Sequence, residues 1–271
     1  MSVSILYQII AHKRKEVDER KELYPVRFLE QSIYFSTPGV SLKKYLLRED
    51  KSGVIAEIKR KSPSKGIINP HVSVERTSIG YMQAGASALS VLTDTHFFGG
   101  SNEDLTVARQ FNFCPILRKD FIIDEYQIVE AKSIGADAIL LIAAVLNEDK
   151  IKTLTAFAHS MGLEVLLEVH DEAELNASVD SGADLMGVNN RNLKTFDLNI
   201  EISKRLSGMI PASMVKVSES GIESPEVIID LRRCGYRGFL IGQTFMQNSR
   251  PEKAAMTFIR ELHRLESNVI R

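Results

Sequence analysis

From Val54 to Gly66 the chain reads Val-Ile-Ala-Glu-Ile-Lys-Arg-Lys-Ser-Pro-Ser-Lys-Gly. It opens as an apolar run suited to a buried parallel strand. Alternation along a strand puts Ile55, Glu57 and Lys59 on one face and Ala56 and Ile58 on the other. An acid and a base on one buried face are costly unless paired or used. The hydroxyls, glycine and lysine of Ser62–Gly66 then form loop chemistry suited to an anion. Further apolar runs end in the same way: in Asp94, in Lys119 and Asp120, in Glu168 and His170, in Asn189 and Arg191, and in Glu219. Within these runs Leu117 shares a face with Lys119, Leu166 with Glu168, Gly187 with Asn189 and Val217 with Glu219. Loop-start polarity accounts for one or two such residues, not for Lys and Glu recurring at one parity.

A second set suits phosphate. Ser218-Glu219-Ser220-Gly221-Ile222 and Ile241-Gly242-Gln243-Thr244 follow the last two runs, and small residues there free backbone N–H groups. Ser62 faces them from the first run. A third set is aromatic: Phe97-Phe98-Gly99-Gly100 and Phe121 sit either as lids on a core or as a slot for a flat substrate. His12, His71, His159 and His263 fall at helical or loop positions that read as solvated, with His96 and His170 nearer the strand ends. No His or Cys spacing suggests a metal and no Ser–His–Asp set is readable, so no metal or other cofactor is expected. Lysines and carboxylates are left to act as acids and bases or through a Schiff base.

Positioning these residues needs eight strands. The runs Val54–Ile58, Ala88–Leu92, Pro115–Leu117, Ala138–Ile142, Val165–Leu167, Leu185–Val188, Met214–Val217 and Phe239–Ile241 alternate with helical segments. Several helices stop at a glycine (Gly85, Gly135, Gly162, Gly182, Gly235), and Ala-Gly-Ala-Ser-Ala, Ile-Gly-Ala-Asp-Ala and Ser-Gly-Ala-Asp-Leu recur just before a run. With no antiparallel hairpin signal, eight units point to an α/β fold, a (β/α)8 TIM barrel whose strand ends meet at one mouth. A doubly wound open sheet is the runner-up, but the first turn lacks G-x-G-x-x-G. Ahead of the barrel, residues 2–21 carry Ile5, Leu6, Ile9, Ile10 and Val17 against a charged face, an amphipathic helix that docks on something. Tyr24–Gly39 reads as a linker, and Ser41 caps a short helix through Leu47. The expectation is one barrel domain over 1–271, with 1–48 as a helical extension packed on it.

Composition sets the bounds. In 271 residues, 44% apolar and 25% charged with net charge −1, nothing argues for nucleic acid or an anionic membrane. Cys114 and Cys234 read as reduced thiols, and Ile5–Ile10 is too short for a signal or a membrane span. The expected setting is the cytoplasm.

The residues also carry a resemblance. Ala56–Gly66, Leu92-Thr93-Asp94 with Phe97–Ser101, and Arg118-Lys119-Asp120-Phe121 are similar to the signatures of the indole-3-glycerol-phosphate synthase family. So are Gly135-Ala136-Asp137 with Leu140–Ile142, Glu168-Val169-His170, Asn189–Leu193 and Ser218–Ile222. The match runs in order over nearly the whole chain. It implies ring closure of 1-(2-carboxyphenylamino)-1-deoxyribulose 5-phosphate with loss of CO2 and water, a step of tryptophan biosynthesis. By the resemblance Lys119 is the general acid at the ketone oxygen, and Lys59 binds the leaving carboxylate or assists dehydration. Glu168 is the base or stabilises a cationic intermediate, while Glu57, Asn189, Arg191 and Glu219 orient hydroxyls and tune the lysines. The anthranilate ring lies against Phe98, Phe121 and Leu193; Ser62, Ser220, Gly221, Gly242 and Gln243 hold the phosphate. After Gly242 the family often has a small hydroxyl or an acid where this chain has Gln243. A seat made of backbone N–H groups tolerates that, whereas one needing a hydroxyl would lose affinity. The alternatives are a phosphosugar isomerase or lyase such as phosphoribosylanthranilate isomerase, and a barrel kept only for binding. A monomer with no obligate protein partner, and no fused second domain, completes the expectation.

Overall fold

Eight parallel strands close on themselves in the computed structural model, which describes residues 5–193 and 195–269. They are β1 (Val54–Ile58), β2 (Ala88–Leu92), β3 (Ile116–Lys119), β4 (Ala138–Ile142), β5 (Glu164–Val169), β6 (Leu185–Asn189), β7 (Val215–Glu219) and β8 (Gly238–Ile241). Closure is made where β1 meets β8, Val54 beside Phe239 and Ala56 beside Ile241. This settles barrel over open sheet. The strands expected at Pro115–Leu117, Val165–Leu167 and Met214–Val217 extend further toward the mouth, because Lys119, Glu168 and Glu219 still pair in the ladder. One expectation is corrected: the loop after β1 folds into a small antiparallel hairpin, Lys61–Ser62 against Gly66–Ile67. Two-residue strands are too short to leave a period in the sequence.

Strand alternation yields two nested cores. Ile55, Leu117, Leu140, Leu166, Val217 and Leu240 fill the barrel, while Ala56, Ile58, Leu89, Val91, Ile139 and Val188 pack outward against the helices. Leu42 and Leu46, on the short helix Leu42–Leu47, join the inner cluster. That helix begins at Ser41, whose side chain accepts from Lys44 N–H as expected. It closes the end where the strands start, since Ser41 and Lys43 N–H both reach Glu164 at the head of β5.

The phrases repeated before the strands have one job. Ser87 Oγ accepts from Gly53 N–H at 2.8 Å, Asp137 Oδ2 from Ile116 N–H at 2.8 Å and Asp184 Oδ2 from Val165 N–H at 2.9 Å. Each side chain holds the start of the preceding strand. The glycines ending the helices all have positive φ, from 69° at Gly162 to 99° at Gly85, as a C-terminal cap requires.

The helix Ile5–Leu23 lies over the opposite end, and its charged face is not wholly solvated. Lys13 is fully buried, its Nζ 3.0 Å from both Asp94 Oδ2 and Asp120 Oδ1 and 2.8 Å from Glu16. Arg20 reaches Glu130, which also takes Arg118 at 2.6 Å. The stretch read as a linker holds a one-turn helix, Val26–Leu29, that packs on the helix Glu125–Ser133. Cys114 and Cys234 are both free thiols, and burial pushes Cys114 up to about 12. Among the described residues no helix is long and apolar enough to cross a membrane.

Candidate active site

A cavity of about 490 Å³ opens at the C-terminal ends of the strands, and every residue to which the resemblance gives a role lines it. Glu57 and Lys59 come from β1, Lys119 from β3, Glu168 from β5, Asn189 and Arg191 from the end of β6 and Glu219 from β7. Phe98, Phe121 and Leu193 line it from loops, with the two rings 5.9 Å apart and tilted by 40°. Ser62, Ser220, Gly221, Gly242 and Gln243 complete the wall, together with Ser64. Ser220 and Gly221 both have positive φ, 66° and 76°. Two successive left-handed residues turn the chain sharply after β7, and at Gly221 glycine makes that conformation inexpensive.

Lys119 is the hub. Its Nζ lies 2.7 Å from Glu168 Oε2 and 2.8 Å from Glu219 Oε2. Burial alone would lower its pKa, but Glu168, Glu219 and Glu57 together raise it, so it stays an ammonium. Lys59 Nζ is 2.6 Å from Glu57 Oε1, the same-face pair anticipated from their spacing. Burial pushes Glu168 up, yet Lys119 and His170 outweigh it and hold this carboxyl well below the usual range. Glu219 is raised to about 7, by burial first and then by Glu168 and Glu57, against the pull of Lys119. Asn189 links the set, donating Nδ2 to Glu168 Oε1 at 3.1 Å and accepting Arg191 N–H at 3.0 Å.

Two glycines make room for these carboxylates. A Cβ at Gly187 would collide with Glu219 Oε1, and one at Gly242 with Glu57 Oε1. Gly242 therefore has a packing duty apart from any backbone contact to a ligand. Gly187→Ala is expected to displace Glu219 from Lys119 and lower kcat about 100-fold, the lower end of the range for a lost acid–base contact. Steady-state kinetics beside a thermal melt test this; an unchanged kcat would mean that Glu219 can move without cost.

Two strand-end residues do not face the cavity. Asp94 turns toward Lys13 and accepts Phe97 N–H at 2.7 Å, shaping the loop that carries Phe98. His170 sits behind Glu168. Strand parity cannot predict either, because both lie past the last ladder residue. His12 is half exposed and stacks on His96, ring centroids 4.4 Å apart, rather than standing alone in solvent. The sequence reading missed the outer wall of the cavity, formed by Ile5, Leu6 and Ile9 of the N-terminal helix. Their helical spacing marked a buried face but not what it covers.

A family model described as indole-3-glycerol phosphate synthase matches residues 6–259. The chain belongs to the indole-3-glycerol phosphate synthase family. A relative of that name from Bacteroides thetaiotaomicron is 50% identical over 258 residues, covering 95% of this chain and 98% of its own. Those from Thermoanaerobacter pseudethanolicus and Acinetobacter baylyi are 43% and 42% identical, covering 90% and 93% of this chain and 92% and 94% of theirs. Membership of the synthase family accounts for the extra N-terminal helix as well as the barrel, since the match begins within it.

Proposed function

We propose that the chain closes the pyrrole ring of 1-(2-carboxyphenylamino)-1-deoxyribulose 5-phosphate, releasing CO2 and water to give indole-3-glycerol phosphate. The observation that carries this is Lys119, an ammonium held between two carboxylates at the centre of a cavity with an aromatic wall and a small-residue rim. Carbon–carbon bond formation puts negative charge on the ketone oxygen, and Lys119 donates the proton there. An acid gripped this tightly gives up its proton only once substrate separates it from Glu168 or Glu219. Lys59 holds the carboxylate that departs as CO2, with Glu57 orienting it. In the dehydration Glu168, ionised, takes the ring proton that is lost, and Lys59, freed of the carboxylate, protonates the departing hydroxyl so that it leaves as water. Asn189 and Glu219 hold substrate hydroxyls and the neighbouring charges. Arg191, Phe98, Phe121 and Leu193 bind the anthranilate part, and Ser62, Ser220, Gly221, Gly242 and Gln243 hold the phosphate. The extension 1–48 belongs to the same domain as the barrel, since its helix supplies cavity wall. The working form is a cytoplasmic monomer acting on this small phosphorylated substrate, with neither nucleic acid nor membrane as partner.

Incubating the chain with this substrate should raise indole absorbance and fluorescence with multiple turnovers. Phosphoribosylanthranilate should be left unchanged. Isomerisation of the latter without indole formation would replace this reading with the isomerase one; binding without turnover of either would leave a phosphate-binding barrel.

A further inference from the structure

Lys119 stands almost equally close to Glu168 and Glu219, and both acids are buried. Distance to the ammonium therefore does not tell them apart; their other oxygens do. Glu168 Oε1 accepts from Asn189 at 3.1 Å and has His170 Nε2 3.2 Å away, an ion-pair distance without full hydrogen-bond alignment. Glu219 Oε1 has no hydrogen-bond partner among the described residues.

His170 is gripped from its far side. Glu174 Oε2, on the helix Glu172–Ser178, accepts from His170 backbone N–H at 2.8 Å and lies 3.0 Å from ring Nδ1. Asp171 fixes that helix by accepting Glu174 N–H at 2.9 Å. An imidazole with a carboxylate at each ring nitrogen can donate to both only when doubly protonated. The ring does not line the cavity, so it acts on substrate only through Glu168.

We propose that His170, clamped between Glu168 and Glu174, is a positioning residue that settles which of the two carboxylates on Lys119 carries a proton. It keeps Glu168 as the free base and leaves the proton to Glu219, which lies on the far side of Lys119. This rests on Glu168 being the base of the proposed cyclisation. The charged groups bearing on the ring are Glu168 from the end of β5, Glu174 from the next helix and, beyond Glu168, Lys119 from β3. Titration runs the same way. Burial would lower His170, but Glu168 and Glu174 raise it to about 10, so it stays cationic through neutral pH.

The test uses the whole chain with two variants. His170→Asn removes the charge; Glu174→Gln keeps the ring and removes its outer carboxylate. The acidic limb of kcat against pH, governed by Glu168, should move up by about one to two pH units in His170→Asn, the usual size for loss of a neighbouring opposite charge. It should move less, in the same direction, in Glu174→Gln. On the acidic side of that limb His170→Asn should turn over about 10-fold more slowly than wild type, with KM nearly unchanged. Independently, NMR of the histidine-labelled, substrate-free chain should show the His170 imidazole protonated through pH 8, a signal lost in His170→Asn and moved in Glu174→Gln. An acidic limb that stays put in folded His170→Asn, or a His170 signal titrating near the ordinary histidine value, would overturn the proposal. A wild-type chain that makes no indole product at any pH overturns the cyclisation reading instead, while the imidazole titration still reports the charge on His170.

Discussion

Lys119→Met removes turnover, with kcat falling by at least about 10³-fold as expected when a positioned general acid is lost. Methionine keeps the stem length and apolar packing, so the barrel below the site is undisturbed. The consequence for Glu168 and Glu219 is larger than for the fold. Both carboxylates lean on the same Nζ, at 2.7 and 2.8 Å, and neither is solvent exposed. Without the ammonium they face one another in a buried site, where two negative charges cannot both persist. At least one then holds its proton to higher pH than Glu219 already does at about 7. A carboxyl whose folded pKa is raised loses stability as pH climbs from its ordinary value through the folded one. Relative to wild type, Lys119→Met should therefore be close in melting temperature near pH 5 and progressively less stable toward pH 8. Indole formation and melts across that range check both parts. Residual turnover within tenfold of wild type would shift the acid role to Lys59, the other lysine lining the cavity among the described residues.

Strand parity is what made Lys119, Glu168 and Glu219 legible. A residue two places beyond a barrel-filling Leu117, Leu166 or Val217 must share its face, whatever the twist of the sheet. The places of Gly221 and Gly242 in the cavity wall were legible because small residues after the last two strands have few other uses, and that of Ser62 because its loop follows the strand beside them. Residues whose partners lie across the fold were not. Ser87, Asp137 and Asp184 recur visibly before strands, but their role depends on which strand start sits beside them. Asp94 reads as a mouth residue until the helix above it supplies Lys13. His170 reads as incidental because its two carboxylates, one at i−2 and one at i+4, belong to a strand and a helix whose junction no periodicity describes. The hidden parts are thus polar contacts between different elements, whether far apart in the chain or across a strand–helix junction, on which the period of either element carries no information.

Lys13 is the strongest case of that kind, and its removal should be costly in a way that depends on pH. Lys13→Met leaves Asp94 and Asp120 buried with one cation fewer, a change expected to destabilise by about 3–5 kcal/mol, as for other broken buried pairs. Burial raises Asp120, but Lys13, then Arg118, pull it well below its ordinary value. A depressed carboxyl contributes stability above its unfolded pKa, and that contribution disappears as pH falls through the folded one. In the variant Asp120 keeps Arg118, Thr93 and the Phe121 N–H but loses its nearer cation, so part of this stabilisation is already missing at pH 7. The gap between wild type and variant should thus be widest at neutral pH and narrow on acidification below pH 4, read by urea unfolding at several pH values. Function should suffer separately. Lys13 ties the helix carrying Ile5, Leu6 and Ile9 to the ends of β2 and β3, so its loss loosens the apolar wall of the cavity. KM should rise about 10-fold, roughly the 1–3 kcal/mol worth of one apolar contact, with kcat changing less. Lys13→Arg keeps the charge and should recover most of the pH-dependent stability, although the planar guanidinium must fit where a point charge stood. A gap below about 1 kcal/mol at pH 7 would mean that burying Lys13 costs nearly as much as its two aspartates return. The helix would then be held over the mouth by Ile9, Val17 and the Arg20 and Lys21 ion pairs.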